Sequence, residues 1–74
     1  MIQVTTTIDD GYTVYKFEAN NTEYEVLTDD GKTYQVWSNR KGCAGRTPPT
    51  CYDSLSDMAK RSKALANLAT LIEA

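Results

Sequence analysis

Three turn signals recur at ten-residue intervals in the first half of the chain and constrain its fold more than any other feature. Asp10-Gly11, Asn20-Asn21 and Asp30-Gly31 are pairs that tolerate the positive φ angles of tight hairpin turns. The runs between them are rich in Thr, Tyr, Val and Ile, which suit a half-buried pleated surface. The pattern predicts an antiparallel β-meander with four strands, at residues 2–9, 12–19, 22–28 and 32–39.

The alternation of apolar and polar residues sets the register of this meander, because a one-residue slip would exchange its two faces. A two-residue turn at the second signal places Phe17 opposite Tyr24. A three-residue loop at the third signal, with Gly31 in a left-handed bulge, places Val26 opposite Tyr34. These choices collect one largely apolar face, which consists of Ile2, Val4, Ile8, Tyr15, Phe17, Ala19, Tyr24, Val26, Tyr34 and Val36.

The segment 53–73 has the three-and-four spacing of apolar residues that is typical of an amphipathic helix. Asp53 or Ser54 can cap its start, and Asp57 suits the positive end of the helix dipole. The predicted fold is therefore α+β: a four-stranded antiparallel β-meander with one C-terminal amphipathic helix packed on one face. The stripe that faces the sheet consists of Leu55, Met58, Ala59, Ser62, Leu65, Ala66, Ala69 and Ile72.

The length of 74 residues predicts a single domain over residues 1–74, made of the meander, a 40–52 loop and the helix. No apolar run approaches the length of a membrane span, so no membrane partner is expected. The segment 1–4 lacks the basic-then-apolar layout of a signal peptide, which predicts a cytoplasmic location, or the host cytoplasm for a phage-encoded chain.

The net charge of the chain is only −2, but acidic and basic residues are unevenly distributed along it. Residues 1–31 hold seven acidic residues against Lys16 alone, whereas residues 32–52 hold four basic residues and no acidic one. Such a bipolar chain can steer a charged partner, although turns and loops also collect charged residues for purely structural reasons. The predicted electrostatic residues are Asp9, Asp10, Asp29, Asp30, Arg40, Lys41 and Arg46.

Packing the helix on one face leaves the opposite face of the sheet with several large apolar side chains. Exposed aromatic and aliphatic residues ringed by polar ones are typical of protein interfaces. The alternatives are that Trp37 folds against the 40–52 loop or belongs to the core. The predicted anchors for a protein partner are Tyr12, Val14, Leu27 and Trp37.

The 40–52 loop contains both cysteines and is rich in glycine and proline. Cys43 and Cys51 can close a disulfide, but a cytoplasmic location favours free thiols. Two cysteines without a histidine in the chain do not complete a zinc site, and the aspartate turns lack the spacing of a calcium loop. The sequence therefore predicts neither a metal nor another cofactor.

The absence of histidine also removes the usual general base near neutral pH, and no serine or cysteine has an evident activating partner. We therefore expect no catalytic residue and no enzymatic activity. The expected function is a small, acidic protein-binding module that inhibits or regulates a larger protein, by analogy with phage and mobile-element proteins that block host defences. The alternatives are nucleic-acid binding by the basic 40–46 loop, which the acidic composition disfavours, and self-association as a homodimer.

Overall fold

The computed structural model describes residues 3–40, 42 and 48–73. Within them, an antiparallel sheet with strand order β1-β2-β3-β4-β5 is followed by two helices. The α+β class is confirmed, whereas the predicted numbers of four strands and one helix are wrong. The elements are β1 (Thr5–Asp9), β2 (Tyr12–Ala19), β3 (Thr22–Thr28), β4 (Tyr34–Arg40), β5 (Thr50–Tyr52), α1 (Leu55–Ala59) and α2 (Lys63–Glu73).

Two tight turns build the first half of the sheet. Asp10 and Gly11 have φ angles of 52° and 81°, and Asn20 and Asn21 have φ angles of 53° and 62°. Positive φ at both central residues is the geometry of a type I′ hairpin turn, whose twist matches that of the flanking strands. The predicted register across the second turn is confirmed, since Phe17 lies opposite Tyr24.

The connection between β3 and β4 is longer than predicted and shifts the register by two residues. Val26 lies opposite Val36 and not opposite Tyr34. The carboxylate of Asp30 accepts hydrogen bonds from the backbone N–H groups of Lys32 and Thr33, each at 2.8 Å. These bonds hold a five-residue loop, residues 29–33, and a shift of two residues leaves both faces of the sheet unchanged.

The strand β5 falls inside the segment that the sequence assigned to the 40–52 loop. It pairs antiparallel with β4, with Thr50 opposite Val36 and Tyr52 opposite Tyr34. A β-branched residue and an aromatic residue alternate here on one face, a pattern that suits a strand. The side chain of Tyr52 packs against the core, so this short strand extends the apolar face of the sheet.

The C-terminal helix is interrupted at residues 60–62. Ser54 begins α1 by accepting a hydrogen bond from the N–H of Asp57 at 3.1 Å. The hydroxyl of Ser62 likewise accepts a bond from the N–H of Leu65 at 3.2 Å. A serine side chain that satisfies a free N–H favours a helix start over a helix interior. Ser62 therefore begins α2 and does not continue the predicted stripe.

The core lies between the helices and the central strands. Its buried sheet residues belong to β2, β3 and β4, and Phe17 stacks on Tyr24 with ring centroids 4.9 Å apart. Neither helix of the described residues is long and apolar enough to cross a membrane. The buried members of the core are Phe17, Val26, Tyr34, Val36, Met58, Ala64, Leu65, Leu68 and Ala69.

One residue of the predicted core face is not in the core. Ile8 lies on β1 at the edge of the sheet and is 81% exposed. All five residues of β1 are exposed, because the helices pack over the central strands and leave this edge uncovered. Val4 is partly buried against the core, and Ile2 lies outside the described residues.

Candidate binding face

The open face is the side of the sheet that carries Tyr12, Val14, Leu27 and Trp37, opposite the face on which the helices pack. These four side chains were expected to be exposed, and for Val14 this expectation is wrong. Val14 is only 5% exposed, because Thr7 and Leu27 flank it on the neighbouring strands. Leu27 and Trp37 are half-buried, and Tyr12 is 36% exposed. Of the four side chains, only those of Tyr12, Leu27 and Trp37 therefore remain accessible to a partner.

A groove with a volume of about 830 Å³ crosses the open face further along the strands. One row of its side chains runs across four strands, because Thr5 lies opposite Lys16, Lys16 opposite Glu25, and Glu25 opposite Trp37. Trp37 is the only predicted anchor that lines this groove. The complete lining is Gln3, Thr5, Lys16, Phe17, Glu18, Glu23, Tyr24, Glu25, Trp37, Ser38 and Asn39.

The groove is acidic, with three glutamates against one lysine among its lining residues. Lys16 lies opposite Glu25, an arrangement of opposite charges that stabilises adjacent strands. Glu18 lies opposite Glu23, and like charges directly opposite each other destabilise a sheet. We call Glu18 and Glu23 the glutamate pair. A cation at this position would be attracted by both carboxylates, and a phosphate would be repelled.

The four aspartates among the predicted electrostatic residues are all exposed. Asp30 is engaged in its own loop, where the N–H groups of Thr33 and then Lys32 lower the pKa of its carboxyl below the usual 3.8. Among the described residues, no group of three or more cysteine, aspartate, glutamate or histidine side chains is arranged to hold a metal ion.

Residues 41 and 43–47 of the 40–52 loop lie outside the described residues, and with them Lys41, Cys43 and Arg46. Arg40 is exposed at the end of β4, where it lies opposite Thr22. Cys51 has a free, exposed thiol in β5 and lies opposite Gln35. The structure thus brings neither of these two residues to the groove.

The glutamate pair was not among the site residues predicted from the sequence, although the sequence contains the signal for it. In a two-residue hairpin, residues at equal distances from the turn face each other. Glu18 and Glu23 are each two residues from the Asn20-Asn21 turn, so their opposition follows from the turn itself.

Comparison with protein-family models, with curated proteins and with solved structures finds no significant match to this chain.

Proposed function

We propose that this chain is a non-catalytic protein-binding module that inhibits or regulates a larger protein, and that its groove takes an arginine-bearing segment of that partner. The observation that carries the proposal is the glutamate pair, two carboxylates placed directly opposite each other across β2 and β3. Carboxylates placed side by side on adjacent strands can accept the paired hydrogen bonds that one guanidinium donates.

An arginine suits the groove better than a simple cation does. Its guanidinium is planar and can donate paired hydrogen bonds to carboxylates while its face stacks on an aromatic ring. Trp37 and Glu25, which lie opposite each other, are in the row next to the glutamate pair. A guanidinium between the two rows would therefore meet carboxylates and an indole together, the combination that favours cation–π contact.

The groove is large enough to take several side chains of a polypeptide segment. Its volume of about 830 Å³ is near the upper end of the range for drug-sized ligands, roughly 300–1,000 Å³. It lies across a sheet surface, where an extended segment can place several side chains at once. The lining supplies carboxylates, amides, hydroxyls and a lysine, and the chain contains no histidine, which supports binding over acid–base catalysis.

The fluorescence of Trp37 provides a direct test, because Trp37 is the only tryptophan of the chain. The protein would be titrated with a short peptide of alternating arginine and serine, and with a control peptide that has glutamate in place of arginine. We expect a saturable change in emission with the arginine peptide alone. Added salt should weaken it, since exposed charges are screened.

Two variants locate the binding. Glu23→Gln removes one carboxylate of the glutamate pair and should weaken binding of the arginine peptide about tenfold, as loss of one charged contact of roughly 1.4 kcal/mol does. Glu73→Gln removes the same charge from the end of α2, outside the groove lining, and should leave the affinity unchanged. Equal binding of both peptides, or equal loss in both variants, would contradict the proposal. Binding of duplex DNA in place of the peptide would instead favour the basic loop.

A further inference from the structure

The two edges of the sheet differ in how well they are protected against pairing with another chain. The edge strand β5 has three residues and follows Pro48 and Pro49, and short strands and prolines are common protections of an edge. The edge strand β1 has five exposed residues, of which 5–8 are Thr-Thr-Thr-Ile. It contains no lysine and no proline, so its backbone is open to another strand.

The turn at Asp10-Gly11 determines which backbone groups of β1 point outward. In a two-residue hairpin, the pair that flanks the turn exchanges both hydrogen bonds, and hydrogen-bonded pairs then alternate along the strands. Asp9 and Tyr12 are that flanking pair. The N–H and C=O groups of Ile8 and Thr6 therefore point away from β2. The exposed side chain of Ile8 lies on the face of the sheet that carries the core.

We infer that β1 pairs antiparallel with β1 of a second copy of this chain, forming a symmetric dimer with one continuous sheet. A two-fold axis at Thr6 places Ile8 of one copy opposite Val4 of the other, so that each exposed isoleucine contacts a residue that packs against the core. The register centred on Thr7 would instead place Ile8 opposite Thr6. The axis at Thr6 also places Asp9 opposite Gln3, and no like charges meet.

A second copy suits this edge better than the arginine-bearing partner does. Residues 5–8 have no charged side chain, so self-pairing brings no like charges together and a basic segment gains no ion pair. The interface of two short strands is smaller than the roughly 1,200–2,000 Å² that stable complexes bury. The dimer is therefore weak and forms at high protein concentration. Ile8 lies on the face opposite the groove and is not among the residues that line it, so a change at Ile8 tests the dimer without altering a groove residue.

Sedimentation equilibrium from micromolar to millimolar concentration tests the inference, in reducing buffer because the thiol of Cys51 is exposed. The wild-type mass should rise with concentration toward that of a dimer. Ile8→Lys should keep the protein monomeric, because lysine at an edge opposes pairing, and its circular dichroism should be unchanged because the side chain is exposed. Leu71→Lys changes an exposed leucine on α2 and should dimerise like the wild type.

A disulfide trap reports the register. In a Cys43→Ser, Cys51→Ser background, Thr6→Cys should oxidise to a covalent dimer, because paired residues on the axis lie about 5.5 Å apart, within disulfide reach. Thr7→Cys should cross-link poorly, because its nearest counterpart is two residues out of register. A monomeric wild type at every concentration, a dimer unaffected by Ile8→Lys, or preferential cross-linking of Thr7→Cys would each overturn the inference.

Discussion

Glu18 and Glu23 lie directly opposite each other on β2 and β3, and each is two residues from the Asn20-Asn21 turn that joins these strands. Like charges directly opposite each other destabilise adjacent strands, so we expect that removing the charge of Glu23 stabilises the sheet. We expect Glu23→Gln to raise the free energy of unfolding by about 0.5 kcal/mol. Urea unfolding at low and high salt measures this, and the gain should shrink at high salt. A lower stability of the variant would show that the pair does not destabilise the sheet.

The loop of residues 29–33 should make the stability depend on pH through Asp30. The N–H groups of Thr33 and Lys32 hold the pKa of this carboxyl below 3.8 in the folded state, so the unfolded state binds the proton more readily. The contribution is present above the unfolded pKa and is lost as the pH falls through the folded pKa.

The matched variant is Asp30→Asn, because the amide oxygen can still accept both N–H bonds but does not titrate in this range. Urea unfolding midpoints from neutral pH down to about pH 2 should fall more steeply for the wild type than for this variant. Identical acid profiles would show that the Asp30 carboxylate is not stabilised by its loop.

The two hairpins could be predicted because their geometry is local. Asp10-Gly11 and Asn20-Asn21 adopt the positive φ angles that two-residue turns require, and the register then follows by counting outward. The opposition of Glu18 and Glu23 follows from the same count. Nothing distant in the chain is needed for either result.

The third connection could not be predicted in the same way. Asp30-Gly31 resembles the first turn in sequence, but Asp30 bonds Thr33 and Lys32, and the hydroxyl of Thr28 accepts a bond from the N–H of Gly31 at 2.9 Å. A loop of three and a loop of five residues leave the same side chains on the same face. The alternation pattern therefore does not distinguish between them.

Burial and helix continuity depend on contacts that the sequence pattern does not specify. The apolar periodicity of residues 53–73 continues through Ser62, yet the hydroxyl of Ser62 bonds the N–H of Leu65 and starts a new helix. Val14 is shielded by its cross-strand neighbours, and Ile8 lies beyond the reach of the helices. The exposure of Ile8 depends on the width of the sheet relative to the helices, and the burial of Val14 depends on the side chains of the neighbouring strands.

Tyr34 should make the free energy of unfolding decrease at alkaline pH. Burial raises the pKa of its hydroxyl above 10.0, so ionisation is more favourable in the unfolded state. Stability is therefore present below the unfolded pKa and is lost as the pH rises through the folded pKa. Tyr34→Phe removes the hydrogen bond to the Gly31 carbonyl, 3.2 Å long, and should cost about 1 kcal/mol at neutral pH. Unfolding midpoints above about pH 10 should then fall less steeply in the variant, and an unchanged slope would contradict this role.

Ser62 should stabilise α2 as its N-terminal cap. We expect Ser62→Ala to lower the free energy of unfolding by about 1 kcal/mol, and Ser62→Asp to retain most of it, because aspartate also caps helices. Urea unfolding followed by circular dichroism measures both variants. A more stable Ser62→Ala with increased helical signal would mean that α1 and α2 join when the serine is removed.

Leu68 and Leu71 offer a direct comparison of core and surface on α2, because the same residue type occurs three positions apart. Leu68 is 0% exposed and Leu71 is 46% exposed. Leu68→Ala should cost about 2–5 kcal/mol, since it removes buried methyl groups and leaves a cavity. A small domain has a total stability of roughly 5 kcal/mol, so this variant should be largely unfolded at room temperature. Leu71→Ala should change the stability by less than about 1 kcal/mol. Thermal unfolding of the two variants measures the difference, and similar melting temperatures would contradict the position of α2 over the sheet.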